Sequence, residues 1–318
     1  MILHLSAVVL SVTLLIYINH LTQEYSSGVS ENVTWQRCVF SIIVSLLVAA
    51  WGLKRKSLNY SGAIAGIAVG LIHTYSSYCF LACLFTFFYT SSKATHYRSD
   101  KKKKVEEDFK EGGQRNWQQV ICNGGASTQL ALLYLLSGGP EEIPIDFQRS
   151  YVRSWLAVGA IAALAGANGD TWASEIGTVA AKSKPFLITS FRRVPVGTNG
   201  GCTFIGMLVS ALGGTIVGLS YLLALIMKIG SSFDVLNQSL LLLFVGTFSG
   251  FFGSVFDSLI GATLQYSGMD AKTGKIVETP GPNVKHISGR PILKNHTVNL
   301  IMTIVTSVAV PTITAQIF

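Results

Sequence analysis

Nine apolar runs separated by short polar stretches restrict this chain to structures that can live in a lipid bilayer. They occupy residues 2–19, 36–53, 61–75, 77–91, 117–137, 152–172, 202–228, 239–264 and 298–317. A helix needs about 20 apolar residues to cross roughly 30 Å of hydrocarbon at about 1.5 Å per residue. In that medium only helices and closed barrels satisfy their own backbone hydrogen bonds, and runs of this length read as helices. The expectation is an all-α, polytopic transmembrane bundle of about nine spans. It forms a single integral membrane domain over 1–318, with a polar cytosolic loop at 92–116 and glycine-broken helices at the cytosolic face. The third and fourth runs are the shortest, and SGAIAGIAVGLIHTYSSYCFLACLFTFFYTSS reads either as two short tilted helices or as one long helix with a re-entrant piece. Composition excludes a soluble domain, because 49% of the 318 residues are hydrophobic and 13% are charged, with a mean hydropathy of +0.47.

Positive charge orients the bundle, since short cytoplasmic loops collect Lys and Arg. With nine spans and the N-terminus in the cytosol, one side receives all of the 24 basic residues except Arg37, Arg149, Arg153 and Lys228. The net charge of +8 therefore describes a basic face beside anionic headgroups, not a nucleic-acid partner. The first run has neither a basic n-region nor a small-residue cleavage site, so it reads as a signal anchor. Five scattered cysteines with no CxxC pair suggest neither a disulfide framework nor a zinc site.

Against this background the stretch GANGDTWASEIG places Asp170 and Glu175 at the cytosolic end of the sixth run, and GFFGSVFDSLIG places Asp257 near the same end of the eighth. The two stretches echo each other as Gly166-x-x-x-Asp170-Thr171 and Gly253-x-x-x-Asp257-Ser258. A carboxylate at membrane depth costs a few kcal/mol, so it faces a polar interior and points to function. The plainer alternative is an interhelical hydrogen bond or a helix cap.

Further polar features gather on that side. Pro195-Val-Gly-Thr-Asn-Gly-Gly201 precedes an apolar helix, and free backbone N–H groups at a helix start suit an anion such as phosphate. Lys182, Lys184, Arg192 and Arg193 carry the right charge for phosphates, and Lys285, His286, Arg290 and Lys294 precede the last span. Arg115 and Asn123 flank the start of the fifth run and are candidates for substrate phosphate. Asp170 and Asp257 are a donor pair for Mg²⁺, which takes one or two carboxylates plus phosphate oxygens. Together these groups suggest phosphoryl or nucleotidyl transfer at the cytosolic membrane face, with a lipid acceptor approaching from the bilayer.

GDTWASEIG, VPVGTNGGCT, EGGQRNWQQV and HISGRPILKNHTVNL closely resemble the transmembrane protein 19 family, from Lys54 onward. That family looks related to a group containing the plastid phytyl-phosphate kinase of vitamin E synthesis. The resemblance implies an internal-membrane enzyme, for instance of the endoplasmic reticulum. Such an enzyme phosphorylates a phytyl, farnesyl or geranylgeranyl-type monophosphate to the diphosphate with CTP or ATP. A more distant similarity to CTP-dependent polyprenol kinases and CDP-lipid synthases assigns the nucleotide and ion to Asp170, Thr171, Glu175, Lys182, Ser183, Gly197, Thr198, Asn199, Gly200 and Gly201. Arg193 joins that set by its charge. The chain departs from familiar kinases in having no GxxxxGK[ST] loop. Two other classes stay open at this point: an ion-coupled transporter, suggested by the Asp echo, and a non-catalytic membrane scaffold.

Overall fold

A computed structural model describes residues 31–97, 113–181 and 183–318. The first apolar run, most of the lysine-rich loop and Lys182 lie outside the described residues. The other eight runs coincide with helices. These are α1 (Glu31–Lys54), α2 (Tyr60–Ser76), α3 (Tyr78–His96), α4 (Trp117–Leu136), α5 (Tyr151–Trp172), α6 (Phe204–Ile229), α7 (Val235–Leu264) and α8 (Asn295–Ile317). Several begin at residues whose side chains accept from the first free N–H groups: Asn59, Ser77, Asn116, Thr203 and Asp234. Ser77 decides the ambiguous 61–91 stretch, because its extended backbone ends α2 and its hydroxyl caps α3 through the Cys79 N–H at 3.1 Å.

On length and apolarity alone, four helices among the described residues are able to cross a membrane: Trp35–Lys54 within α1, together with α6, α7 and α8. α2 has only 17 residues. α5 is rich in alanine and glycine because it does not face lipid. From Leu156 to Gly169 every residue is buried, and α4, α6, α7 and α8 surround it. Its neighbours, not its own hydropathy, keep it from water and lipid.

The expected glycine breaks do not occur. α6 runs unbroken through Gly213 and Gly214, and α7 through Gly246, Gly250 and Gly253. The glycines serve contact instead: a Cβ on Gly214 would stand 2.1 Å from the Gly246 carbonyl oxygen. The one departure from α-helical geometry at this end is a π-helical turn, Ala173–Gly177, which continues α5.

Loops stitch each end of the bundle. At the basic end Leu58 bridges Arg115, β1 (Phe186–Leu187) pairs with β2 (Gly201–Cys202), and the Asn199 N–H donates to Ser267 Oγ. A three-stranded antiparallel sheet in the order β4 (Ile276–Val277), β3 (Ser267–Asp270), β5 (Val284–Ser288) follows α7. At the opposite end the Arg37 guanidinium binds Glu142 and the Pro140 carbonyl, while Glu142 also accepts the Tyr78 N–H. Both Arg37 and Glu142 side chains are about 5% exposed or less, so this pair clamps α1 to the α4–α5 loop.

Valine at Gly214 is expected to abolish the α6–α7 approach and lower stability by about 1–3 kcal/mol or more. Gly66→Ala, whose added carbon would meet nothing closer than 3.8 Å, is expected to be tolerated. Thermal unfolding in detergent checks both.

Candidate functional site

The two echoing stretches meet in space. Gly166 of α5 and Gly253 of α7 touch backbone to backbone, a Cβ on Gly253 falling 2.9 Å from the Gly166 Cα. Each aspartate follows its glycine by one helical turn, so both carboxyl groups emerge on the same side of this contact and interact electrostatically. Ser254 hydrogen-bonds to Asp170. Asp257 Oδ2 is buried without a hydrogen-bond partner, as is Nε1 of the neighbouring Trp172. Cys202 of β2 completes the wall. Burial pushes its thiol up, a hydrogen bond with Ser258 opposes that, and the two carboxyl groups push it further.

Glu175 lies on the π-helical turn, in a segment type that recurs at functional sites. It interacts with Arg115, which burial lowers to about 10 against the opposing effect of the Glu175 charge. The Arg115 fork donates to Ser92 Oγ at 2.9 Å and Ser91 Oγ at 3.1 Å on α3. Next to Ser91 on α3, Thr90 donates to Asn168 Oδ1 at 3.0 Å, two residues before Asp170 in sequence. Asn168 in turn donates to the Gly213 carbonyl at 2.7 Å. Arg115 and Glu175 therefore belong to the same basic end as the aspartate pair, with Thr90 and Asn168 tying α3 to α5 there.

The glycine loop reaches the same region by its backbone. Gly200, at φ +76°, lies where a Cβ would be 2.6 Å from the Ser258 carbonyl oxygen and 2.4 Å from Ala262. Its N–H groups are less free than the sequence suggests: Thr198 donates to Pro195, Asn199 to Ser267 and Gly201 to Thr198. Thr198 Oγ1 also turns back to Pro195, and the Asn199 side chain donates to Tyr266. The loop thus docks against α7 and presents Gly197, at φ +91°, as an exposed turn. Ser183 and Arg193 are exposed, and Arg193 Nη1 donates to the Lys184 carbonyl.

Other candidates stand apart. Lys285 is exposed on β5, Arg290 is exposed beyond it, and His286 is an exposed histidine bonded to the Gly289 carbonyl. Asn123 faces α8, where its Oδ1 accepts from Asn299 at 3.1 Å. Sequence reasoning missed Ser254, Ser258, Thr90 and Asn168. Ser254 was within reach, since a residue three before Asp257 shares its helical face. Among the described residues, no three or more His, Cys, Asp or Glu side chains gather as a closed metal site.

Comparison with known proteins places these features in context. Residues 43–307 match the family described as Integral membrane protein DUF92. The "Protein PGR" of Arabidopsis thaliana is 42% identical over 271 residues, covering 85% of this chain and 94% of that protein. An uncharacterized membrane protein of Methanocaldococcus jannaschii is 29% identical over 273 residues, covering 85% of this chain and 91% of its own. One from Synechocystis is 31% identical over 180 residues, covering 56% of this chain and 60% of its own. No solved structure matches the chain.

Arg115→Ala removes both serine hydrogen bonds and the attraction to Glu175, so it is expected to lower stability by about 1–3 kcal/mol. Asp257→Asn removes one of two adjacent buried carboxyl groups that resist ionising together, and is expected to raise the unfolding temperature in divalent-free buffer above neutral pH. Calorimetry on purified protein distinguishes the two directions.

Proposed function

The chain belongs to the integral membrane protein family DUF92, and on that premise we propose that it is a membrane-embedded phosphotransferase acting on an isoprenyl monophosphate. The observation that carries this reading is the meeting of Asp170 and Asp257 at the basic end of the bundle, with one carboxylate oxygen buried and unpartnered. In this reading α2, α3, α4 and α5 also cross the bilayer, and the basic end faces the cytosol of an internal membrane, where nucleoside triphosphate is abundant.

The donor set fits a hard divalent ion. Two carboxylates with nearby serine hydroxyls offer oxygen ligands, and an incomplete shell suits Mg²⁺, which keeps waters and shares phosphate oxygens. Asp170 and Asp257 would hold it, and when bound it supplies charge neutralisation at the transferring phosphoryl group. In this reading Ser183, Arg193 and the turn at Gly197–Gly201 would take the nucleotide phosphates, with Lys182 added on its charge alone, and the exposed Lys285 and Arg290 would contribute positive charge from the β5 side. Arg115, oriented by Ser91, Ser92 and Glu175, receives the acceptor phosphate; Asn123, bonded to Asn299, plays a smaller part.

In the reaction a phosphate oxygen of the lipid attacks the terminal phosphorus of the nucleotide. A new P–O bond forms, the bond to the bridging oxygen breaks, and the electron pair leaves on the nucleoside diphosphate. The acceptor monophosphate is already largely ionised at neutral pH, so neither aspartate is needed as a base. Positioning and charge balance are the chain's main contributions.

A second reading has its own observation. Matching carboxylates on two helices in contact also suit an ion-coupled carrier. Depth favours the transferase, because α7 has 30 residues and Asp257 lies about 10 Å from its midpoint toward the basic end.

Purified protein with labelled ATP or CTP, Mg²⁺ and farnesyl, geranylgeranyl or phytyl monophosphate is expected to yield the diphosphate. Asp170→Asn and Asp257→Asn are expected to reduce turnover on the order of 100-fold or more while remaining folded. Folded protein that makes no product from any acceptor, yet conducts cations in vesicles through the same aspartates, would replace this reading with the carrier.

A further inference from the structure

A cavity lies between α1, α2, α3 and α4 and meets the polar groups just described at Arg115. It measures about 80 Å³, whereas a single buried water needs roughly 10–15 Å³. Its walls are apolar along most of their length, with Val44, Val48, Val69, Leu84 and Phe87 among them. At the basic end the lining changes character to Arg115, Gln119 and Asn123. Apolar space of this size does not hold water, so an apolar occupant suits it.

Between α1 and α3 the contacts are sparse. α1 leans on α2, and ring contacts tie it to α3 near both of its ends: Phe40 on Tyr78 at 5.4 Å, and Trp51 on Phe88 and Tyr89 at 5.6 and 5.9 Å. Phe40 and Trp51 are 11 positions apart, about 16 Å along the helix. Along that stretch Val44 and Val48 face Leu81 and Phe85 across the cavity, and Phe85 is exposed. Phe85, exposed and lining the cavity, marks the lipid-side flank of this stretch as the candidate route in.

We propose that this cavity holds the apolar chain of a single-chain lipid monophosphate, which enters laterally between α1 and α3 and places its headgroup at Arg115. The assignment rests on the phosphotransferase reading for the fate of the headgroup, but the binding itself needs neither nucleotide nor divalent ion. Charge selects the class of occupant: among the described residues Arg115 is the cation bordering the cavity, and it interacts with Glu175 on the turn that continues α5 beyond Asp170. Gly66 and Gly124 leave the space that the chain fills. They are therefore specificity-determining positions.

The test uses the whole protein in nanodiscs with a farnesyl monophosphate that carries a diazirine on its chain, without nucleotide or Mg²⁺. After illumination, peptide mapping is expected to place adducts on α1, α2 and α3 around Val44, Val48, Gly66 and Phe85. Gly66→Phe, or Val48→Trp should the first fail to fold, is expected to cut labelling at least tenfold, while Gly66→Ala preserves it. Arg115→Ala is expected to cut labelling by the monophosphate and leave labelling by the matching uncharged alcohol unchanged. Adducts elsewhere on folded protein, or equal labelling by a diazirine phosphatidylcholine, would overturn the proposal. Its failure is separable from that of the transferase. Turnover that survives both plugging variants removes the chain site alone, whereas cavity labelling without any turnover removes the transferase reading alone.

Discussion

Lipid gives helices no hydrophobic reason to associate, so a bundle that must hold charged groups at membrane depth depends on how closely its backbones can approach. Here α5, α6 and α7 meet through glycine: Gly214 lies against Gly246 and Gly250, Gly169 against Gly250, and Gly166 against Gly253. Every one of these contacts is closer than a side chain would allow. Dispersion between backbones, with many weak contacts summed, replaces the water-driven burial that holds a soluble core. The same approach sets the separation of Asp170 and Asp257, because each is rigidly one turn from a glycine in the contact. Structure and site are thus held by a single packing arrangement.

That arrangement explains why the two ends of the bundle are secured so differently. The end opposite the site is locked by a buried ion pair, Arg37 with Glu142, capped by the Tyr78 ring 4.2 Å from the guanidinium. Breaking such a pair leaves an uncompensated charge, which makes it a stiff clamp. The site end is held mainly by hydrogen bonds from loops: Asn199 to Ser267 and Tyr266, Arg115 to Ser91 and Ser92. Individually these are modest, so this end can adjust around a ligand while the far end does not.

The sequence made most of the helices legible because a run of about 20 apolar residues has few other fates. The Gly-x-x-x-Asp echo was also visible, although not its meaning, since only the fold shows that the two glycines touch. Glycine misled in one respect. In isolation it weakens a helix, but between packed helices its missing side chain is what the contact requires, so α6 and α7 do not break. α5 shows the limit of hydropathy, as a helix enclosed by its neighbours needs little apolar surface of its own. The pairing of Arg115 with Glu175, and the capture of the glycine-loop N–H groups by Pro195, Thr198 and Ser267, depend on residues far apart in the chain or on loop geometry. No local pattern signals them.

Lateral entry between α1 and α3, as proposed, has a consequence for how occupancy is counted. A site entered from the side of a bilayer is filled by diffusion in two dimensions, and its occupancy follows the mole fraction of a lipid within the membrane. Dissolving more inert phospholipid around the protein would empty such a site, while a tenfold change in the volume of surrounding buffer would leave it full.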